Sequence, residues 1–184
     1  MQNTSAASSH PSKWRCPMNN LQMRLVGDLS LRETAAPVAD IAAISDAMND
    51  MVNMMNDQRG VGLAAPQVGI LQRFLVMQDP DTHEVYKIIN PKIISFSDKT
   101  CKMEEGCLSV VDSDGIPIFA DVVRPDGVVM EWTDENGAAH SAKFIKTMAR
   151  IVQHEYDHLD GKLFIDYLSP IKREQVMRKV KKRK

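Results

Sequence analysis

Residues 153 to 161 read QHEYDHLDG, and this short stretch decides how the rest of the chain has to be arranged. It places His154 and His158 four positions apart, with Glu155 directly after the first histidine. On an α-helix such residues are separated by one turn and about 40° of rotation, so both imidazoles can reach one metal ion. The glutamate of this pattern is not a ligand and handles protons at the reacting water. The stretch predicts a metal-binding helix; two histidines simply packed or solvated on a helix are the alternative.

A catalytic metal site of this type uses three protein ligands and keeps one position open for water or substrate. One protease class takes a third histidine from further along the chain, but Phe164 stands at that position and cannot ligate. Another class uses a downstream glutamate, and only Glu174 in the basic C-terminal segment follows the motif. Upstream, MEEGCLSV at 103 to 110 presents Cys107 after a glycine. A thiolate there would complete the site, although a lone cysteine can also be an inert buried residue.

The composition is that of an ordinary globular protein. The chain has 184 residues, a formal net charge of −1 and a pI near 6.5, which give no global reason to expect a nucleic-acid or membrane partner. No stretch approaches the roughly 18 consecutive apolar residues of a spanning helix. Three widely spaced cysteines argue against a disulfide framework and favour a reducing compartment. We therefore predict a cytoplasmic protein with no membrane partner.

The two ends of the chain differ from its middle. Residues 1–22 are expected to be a mobile tail, although a Ser-rich, acid-free start is also typical of an organelle transit peptide. Residues 23–184 are expected to form a single metallohydrolase domain that ends in a basic helix. Ser169 and Pro170 read as the N-cap and first residue of that helix. From Lys172 to Lys184, eight basic residues stand against one glutamate.

Residue periodicity predicts two longer helices before that one. From Asp40, apolar residues recur at helical spacing as far as Met55, which predicts an N-terminal amphipathic helix capped by Asp40 and closed by a left-handed Gly60. The second is the motif helix itself, with Thr147 as its expected cap and Gly161 at its end.

Turn signals separate short β-branched runs and predict strands. The hairpin signal Asp134-Glu135-Asn136-Gly137 joins two of these runs, because Asn-Gly tolerates positive φ values. The other runs lie at 73 to 78, 85 to 90 and 92 to 97. Together these signals predict an α+β fold, in which a mostly antiparallel mixed sheet packs around the central metal-binding helix.

Three separated segments of the chain resemble the peptide deformylase family. They are GVGLAAPQVG at 60 to 69, EGCLSV at 105 to 110 and QHEYDHLDG at 153 to 161. Their order and spacing also match, and the resemblance covers about Met23 to Pro170. It implies a metal-dependent hydrolase that removes the formyl group from N-formylmethionyl peptides of newly made proteins and releases formate.

The resemblance also implies roles for individual residues. Cys107, His154 and His158 would bind one divalent metal ion, usually Fe²⁺ in this family, with Zn²⁺ or Ni²⁺ as alternatives. Glu155 would take a proton from the attacking water and pass it to the leaving amine. The donors for the developing oxyanion would be the Gln67 side-chain amide and the Leu108 backbone N–H. The substrate-binding residues would be Val61, Gly62, Gly106, Val110 and Ile151.

The chain departs from the family pattern directly after EGCLS. Val111 to Asp114 reads as an altered or lengthened loop, which adds acidic residues beside the expected peptide groove. Asp157 and Asp160 flank the metal ligands and could orient an imidazole N–H, or they could be surface carboxylates. The remaining histidines, His10, His83 and His140, are expected to be solvated.

Further expectations concern partners and competing functions. The basic C-terminal helix could contact ribosomal RNA through phosphate attraction, or it could be an ordinary solvated helix. A zinc endopeptidase is the main competing function, disfavoured because no third histidine or suitable glutamate follows the motif. A non-catalytic peptide-binding protein is the other, disfavoured because Glu155 would have no use in it.

Overall fold

The structure, a computed structural model, describes residues 21–181. The predictions for most of the N-terminal tail, including His10, lie outside these residues. Three α-helices and seven strands follow one another in the described part of the chain, and α+β is therefore the correct class. The helices are α1 (Ser45–Asp57), α2 (Lys146–Leu159) and α3 (Pro170–Lys181). The strands are β1 (Gly62–Ala64), β2 (Phe74–Gln78), β3 (Val85–Phe96), β4 (Thr100–Glu105), β5 (Ala120–Pro125), β6 (Gly127–Thr133) and β7 (Ala139–Ile145).

The strands form two antiparallel sheets. The larger sheet has the order β1-β2-β3-β6-β7, and β4 pairs with β5 in a separate two-stranded sheet. Every pair of neighbouring strands among residues 21–181 runs antiparallel. The prediction of a mostly antiparallel sheet is confirmed, but the prediction that it is mixed is wrong. The β6–β7 hairpin forms at the predicted turn, where Gly137 has φ +82°.

Strand β2 lies at the centre of the hydrophobic core, because other elements cover both of its faces. Phe74 and Val76 pack with methionines of α1, whereas Leu75 and Met77 pack with α2. All four side chains are fully buried. This sandwich holds α2 against the larger sheet, while a third apolar cluster joins the β4–β5 sheet to α3 through Val122, Val176 and Val180.

Several predicted boundaries differ from the structure. Asp40 is not the cap of α1: its side chain accepts the Ala42 N–H at 3.0 Å before a short 3₁₀ turn, and α1 begins only at Ser45. The left-handed residue after α1 is Arg59 (φ +55°) rather than Gly60. Thr147 lies within α2 and does not cap it.

The predicted strands at 85 to 90 and 92 to 97 form one long strand, β3. Asn90 (φ +49°) and Pro91 lie where its register with β6 shifts, because proline lacks the N–H that a regular ladder needs. The irregularity shifts the register without ending the strand. Among the helices of residues 21–181, none combines the length and apolar composition that crossing a bilayer requires.

Candidate active site

Helix α2 brings the two motif histidines close together in the interior. The ring centroids of His154 and His158 are 5.1 Å apart, and both side chains are buried. Phe164, at the position where a third histidine was considered, packs its ring 6.1 Å from that of His154. It therefore contributes to holding the imidazole in place.

Cys107 approaches the histidines from the turn that follows β4. The turn is closed by the Val110 N–H, which donates to the Cys107 carbonyl at 3.0 Å. The Cys107 Sγ lies 3.4 Å from His158 Nε2. One ligand atom from each of Cys107, His154 and His158 lies within 4.8 Å of the others, and all three residues are buried.

The protonation state of His158 suits a metal ligand. Burial lowers the pKa of His158 well below its usual value. The ring is therefore neutral, which is the form of imidazole that binds metals. Its Nδ1 is one of two buried side-chain atoms in the described region without a hydrogen-bond partner; the other is Glu155 Oε2. A thiol sulfur and two imidazole nitrogens are a suitable donor set for a borderline divalent cation.

A buried charge network orients His154, and the sequence analysis missed it. His154 Nδ1 bonds to Glu105 Oε2 at 3.0 Å. Arg124 donates to both Glu105 oxygens, at 2.7 and 3.0 Å, and Arg150 donates to Oε1 at 2.7 Å. Burial alone would raise the pKa of Glu105, but the bonds from His154 and Arg124 outweigh this effect and hold its pKa well below the usual range. Glu105 is therefore a carboxylate that fixes the imidazole orientation.

The aspartates that were considered for this orienting role have other partners. Asp157 accepts a hydrogen bond from Arg124 at 2.6 Å. It therefore holds the arginine that binds Glu105 and does not contact an imidazole. Asp160 accepts from Arg73 at 2.7 Å. His140, expected to be solvated, is exposed but bonds to Asp134 at 2.8 Å and stacks on Trp132.

Glu155 lies against the backbone of β1. A Cβ added to Gly62 would stand 2.7 Å from the Glu155 carboxyl carbon, so only glycine leaves room for this side chain. Glu155 is almost fully buried, and burial raises its pKa to about 7. A carboxyl group with such a pKa can both accept and release a proton near neutral pH.

The Gln67 amide points its nitrogen towards Cys107. Its Oε1 accepts the Ala64 N–H at 2.8 Å, which fixes the orientation of the amide. Its Nε2 then donates to Ser109 Oγ at 3.1 Å and lies 3.5 Å from the Cys107 Sγ.

A cavity of about 290 Å³ opens beside these groups. It is lined by most of the predicted site residues, namely Val61, Gly62, Gln67, Gly106, Cys107, Leu108, Ile151, His154 and Glu155. Neither Val110 nor His158 is among the lining residues: Val110 is fully buried in the cluster with Leu163 and Phe164, and His158 is 1% exposed. The cavity is also lined by Met103, Thr147 and Arg150, which the sequence motifs do not indicate.

The altered loop after Ser109 folds into a tight turn. Asp112 Oδ1 accepts the backbone N–H groups of Asp114 and Ile116, at 2.9 and 3.0 Å, and Gly115 has φ +81°. Phe119 follows this turn and lines the cavity.

Three buried ligand atoms beside a buried carboxyl group and an open cavity define a metal-dependent hydrolase. Comparison with known proteins gives the family. The sequence model of the polypeptide deformylase family matches residues 21–174. A peptide deformylase of Endomicrobium trichonymphae is 42% identical over 169 residues, which are 91% of this chain and 97% of that protein.

Solved structures agree with this match. The peptide deformylase of Ehrlichia chaffeensis superposes with a TM-score of 0.82 at 36% identity, covering 89% of this chain and 96% of that one. The Legionella pneumophila enzyme gives a TM-score of 0.80 at 38% identity, with coverages of 88% and 93%. The chain belongs to the peptide deformylase family. Its activity is the metal-dependent removal of the formyl group from N-formylmethionyl nascent peptides.

Proposed function

We propose that Cys107, His154 and His158 hold the metal ion on which deformylation depends, and that Glu155 moves the proton. The observation that carries this proposal is the grouping of three buried ligand atoms within 4.8 Å, next to Glu155. A divalent cation held there would polarise the formyl carbonyl and the attacking water as a Lewis acid. A single domain from residue 23 onward is part of the same proposal.

Glu155 acts as the general base and then as the general acid. Its carboxyl group accepts a proton from the attacking water and delivers it to the amine that leaves the formyl carbon. The packing of Gly62 against Glu155 supports this role, because it keeps the carboxyl group in one place.

Gln67 and Leu108 stabilise the negative charge that develops on the formyl oxygen. The Gln67 Nε2 is aimed by the bond that its own Oε1 receives from Ala64, so no reorganisation is needed when the charge develops. Leu108 follows Cys107 directly and lines the cavity, which supports its backbone N–H as the second donor.

The peptide binds as an added strand along β1. This strand is at the edge of the larger sheet, and only β2 pairs with it among the described strands. Val61 and Gly62 thus offer backbone groups to an extended peptide. The methionine side chain enters the cavity next to Ile151, Met103 and the stem of Arg150.

Fe²⁺ is the proposed native ion. One thiolate and two imidazoles bind Fe²⁺, Zn²⁺ and Ni²⁺, so the donor set alone does not choose among them. The test is formate release from formyl-Met-Ala-Ser by protein loaded anaerobically with each ion, together with cleavage of an unformylated peptide. Fastest formate release with Fe²⁺ and no internal cleavage is expected. Internal cleavage without formate would favour an endopeptidase, and tight peptide binding without any turnover would favour a binding protein.

A ribosome contact through α3 is a second proposal, and the exposed basic side chains of this helix support it. Lys172, Arg173, Arg178 and Lys179 are exposed. Phosphate attraction of this kind weakens steeply as salt rises. Co-sedimentation with ribosomes should therefore be lost between low and moderate salt, and salt-independent pelleting would contradict the proposal.

A further inference from the structure

A second depression adjoins the cavity of the candidate active site. It has a volume of about 470 Å³ and lies between α3 and the β4–β5 sheet. We name it the α3 groove; it is lined by Glu104, Phe119 and Asp121 on one side and by Lys172, Gln175 and Lys179 on the other. Glu104 and Phe119 also line the first cavity. The two depressions therefore share a wall formed by these two side chains.

The Phe119 ring forms the boundary between them. Its side chain is 58% exposed, yet a Cβ added to Gly106 would lie 2.5–2.8 Å from three of its ring atoms. The ring thus lies directly against the backbone next to Cys107. Because Phe119 lines both depressions, a peptide that passes from the first cavity into the α3 groove crosses this ring.

The groove wall formed by α3 is basic. Lys172, Gln175 and Lys179 share one stripe of the helix, at spacings of three and seven residues, while Val176 and Val180 pack inward. Arg178 also lines the groove, but it pairs with Glu174 at 2.7 Å. Within residues 21–181, neither Lys172 nor Lys179 forms an ion pair.

The acidic side chains around the groove are unequally neutralised. Asp121 pairs with Lys102 at 2.7 Å, and the bond from Lys102, with a smaller contribution from the charge of Lys172, lowers the pKa of Asp121. Glu104 remains at the boundary beside Phe119 and has no ion pair within the described residues. The groove is thus acidic at its entrance and basic further along.

We propose that the α3 groove binds the part of the nascent peptide that follows its first three residues, and that it selects acidic side chains there. This inference rests on the proposed function, because it requires the formylmethionine to occupy the first cavity. An extended chain advances about 3.3–3.6 Å per residue, so residues four to seven cover roughly 13–14 Å. The fourth residue passes Glu104 and is best uncharged, whereas the next three face Lys172 and Lys179.

The test compares three peptides under the same conditions. They are formyl-Met-Ala-Ser, formyl-Met-Ala-Ser-Gly-Asp-Asp-Asp and formyl-Met-Ala-Ser-Gly-Lys-Lys-Lys, each with an amidated C-terminus. The readout is the kcat/KM of each heptapeptide divided by that of the tripeptide. For the metal-loaded wild-type protein, the acidic heptapeptide should exceed the basic one by about three- to tenfold at low salt. The difference should shrink as salt rises, because the lysines are exposed.

Charge-reversed variants separate the groove from the rest of the surface. In Lys172→Glu/Lys179→Glu the preference should invert, and in Lys172→Gln/Lys179→Gln it should nearly disappear. The matched control is Lys92→Glu/Lys143→Glu, which makes the same charge change on exposed residues of the larger sheet, outside both depressions. The control should keep the wild-type ratio.

The outcomes distinguish the two proposals. Equal kcat/KM for both heptapeptides, or a preference for the acidic one that persists in the charge-reversed variant, would overturn the proposal that the α3 groove selects acidic peptides. If the preference also disappears in the control variant, it is caused by the net charge of the protein, and the proposal for the α3 groove is overturned as well. Failure of the wild-type protein to release formate from the tripeptide would instead overturn the proposed function.

Discussion

The carboxyl group of Glu155 occupies the space that a side chain at Gly62 would need. The two residues belong to α2 and β1, and the carboxyl carbon would be only 2.7 Å from an added Cβ. Two of the three segments on which the family resemblance rests thus meet at one contact. The first segment does more than admit a peptide, because it also fixes the position of the proposed general base.

Gly62→Ala is expected to reduce kcat/KM by about 100-fold, because it displaces Glu155 by a fraction of an ångström to an ångström. Formate release from formyl-Met-Ala-Ser measures the effect, with metal content determined in parallel. Gly127→Ala is the matched control, since its nearest neighbour, the Phe144 carbonyl oxygen, is 3.4 Å from the added Cβ. Wild-type activity in Gly62→Ala would contradict this role of Gly62.

Glu105→Gln is expected to loosen His154 and to leave Arg124 and Arg150 buried without their shared carboxylate. Removing one partner of a buried ion pair costs about 3–5 kcal/mol of unfolding free energy, and loss of such an orienting acceptor lowers metal affinity about 10- to 100-fold. Urea unfolding and metal titration measure the two effects.

The control for Glu105→Gln is Asp160→Asn. This variant breaks a partly exposed ion pair with Arg73 at the C-terminal end of α2, the helix that carries His154, so it should cost no more than about 1 kcal/mol. Equal losses in the two variants would mean that burial of the Glu105 network has no special importance.

Cys107→Asp is expected to keep a metal ion and lose activity. A carboxylate can ligate, but it donates less charge to the metal than a thiolate does, and it changes the electrostatics beside Gln67 Nε2. Metal analysis and formate release are measured on the same preparation. Undiminished activity of the iron-loaded variant would show that the thiolate has no special function.

Metal removal is expected to lower thermal stability. A ligand at 100 times its Kd stabilises the folded state by about 2.7 kcal/mol, which corresponds to roughly 5–10 °C in Tm for a chain of this size. Calorimetry before and after anaerobic chelation measures the shift. Ca²⁺ is the control, because it prefers oxygen ligands and should not restore Tm. Restoration by Ca²⁺ would argue against the Cys107, His154 and His158 site.

The helix that carries His154 and His158 and the β6–β7 hairpin could be predicted from the sequence, because both depend on residues close together in the chain. Spacing by four places His154 and His158 on one side of a helix, and Asn136-Gly137 favours the turn. The partnership of Glu105 with His154 spans 49 residues and depends on how β4 packs against α2. No local pattern encodes such a contact.

One signal for the missed residues was nevertheless present. Glu105 lies two positions before Cys107, and a carboxylate beside a thiolate is unfavourable unless cations accompany it. Arg124 and Arg150 are those cations, but only tertiary structure brings them there. The position of Val110 could not be predicted for the same reason, since the turn at Cys107 directs it into the interior.

The most direct test of the account is Glu155→Gln, examined for bound metal and for activity on one preparation. The amide keeps the size of the side chain against Gly62 but cannot accept the proton of the attacking water. We predict one metal ion per chain, as in the wild-type protein, and a kcat lower by a factor of about 10² to 10⁴. Wild-type turnover in this variant, or loss of the metal ion with the activity, would contradict the assignment of Glu155 as proton carrier and not ligand.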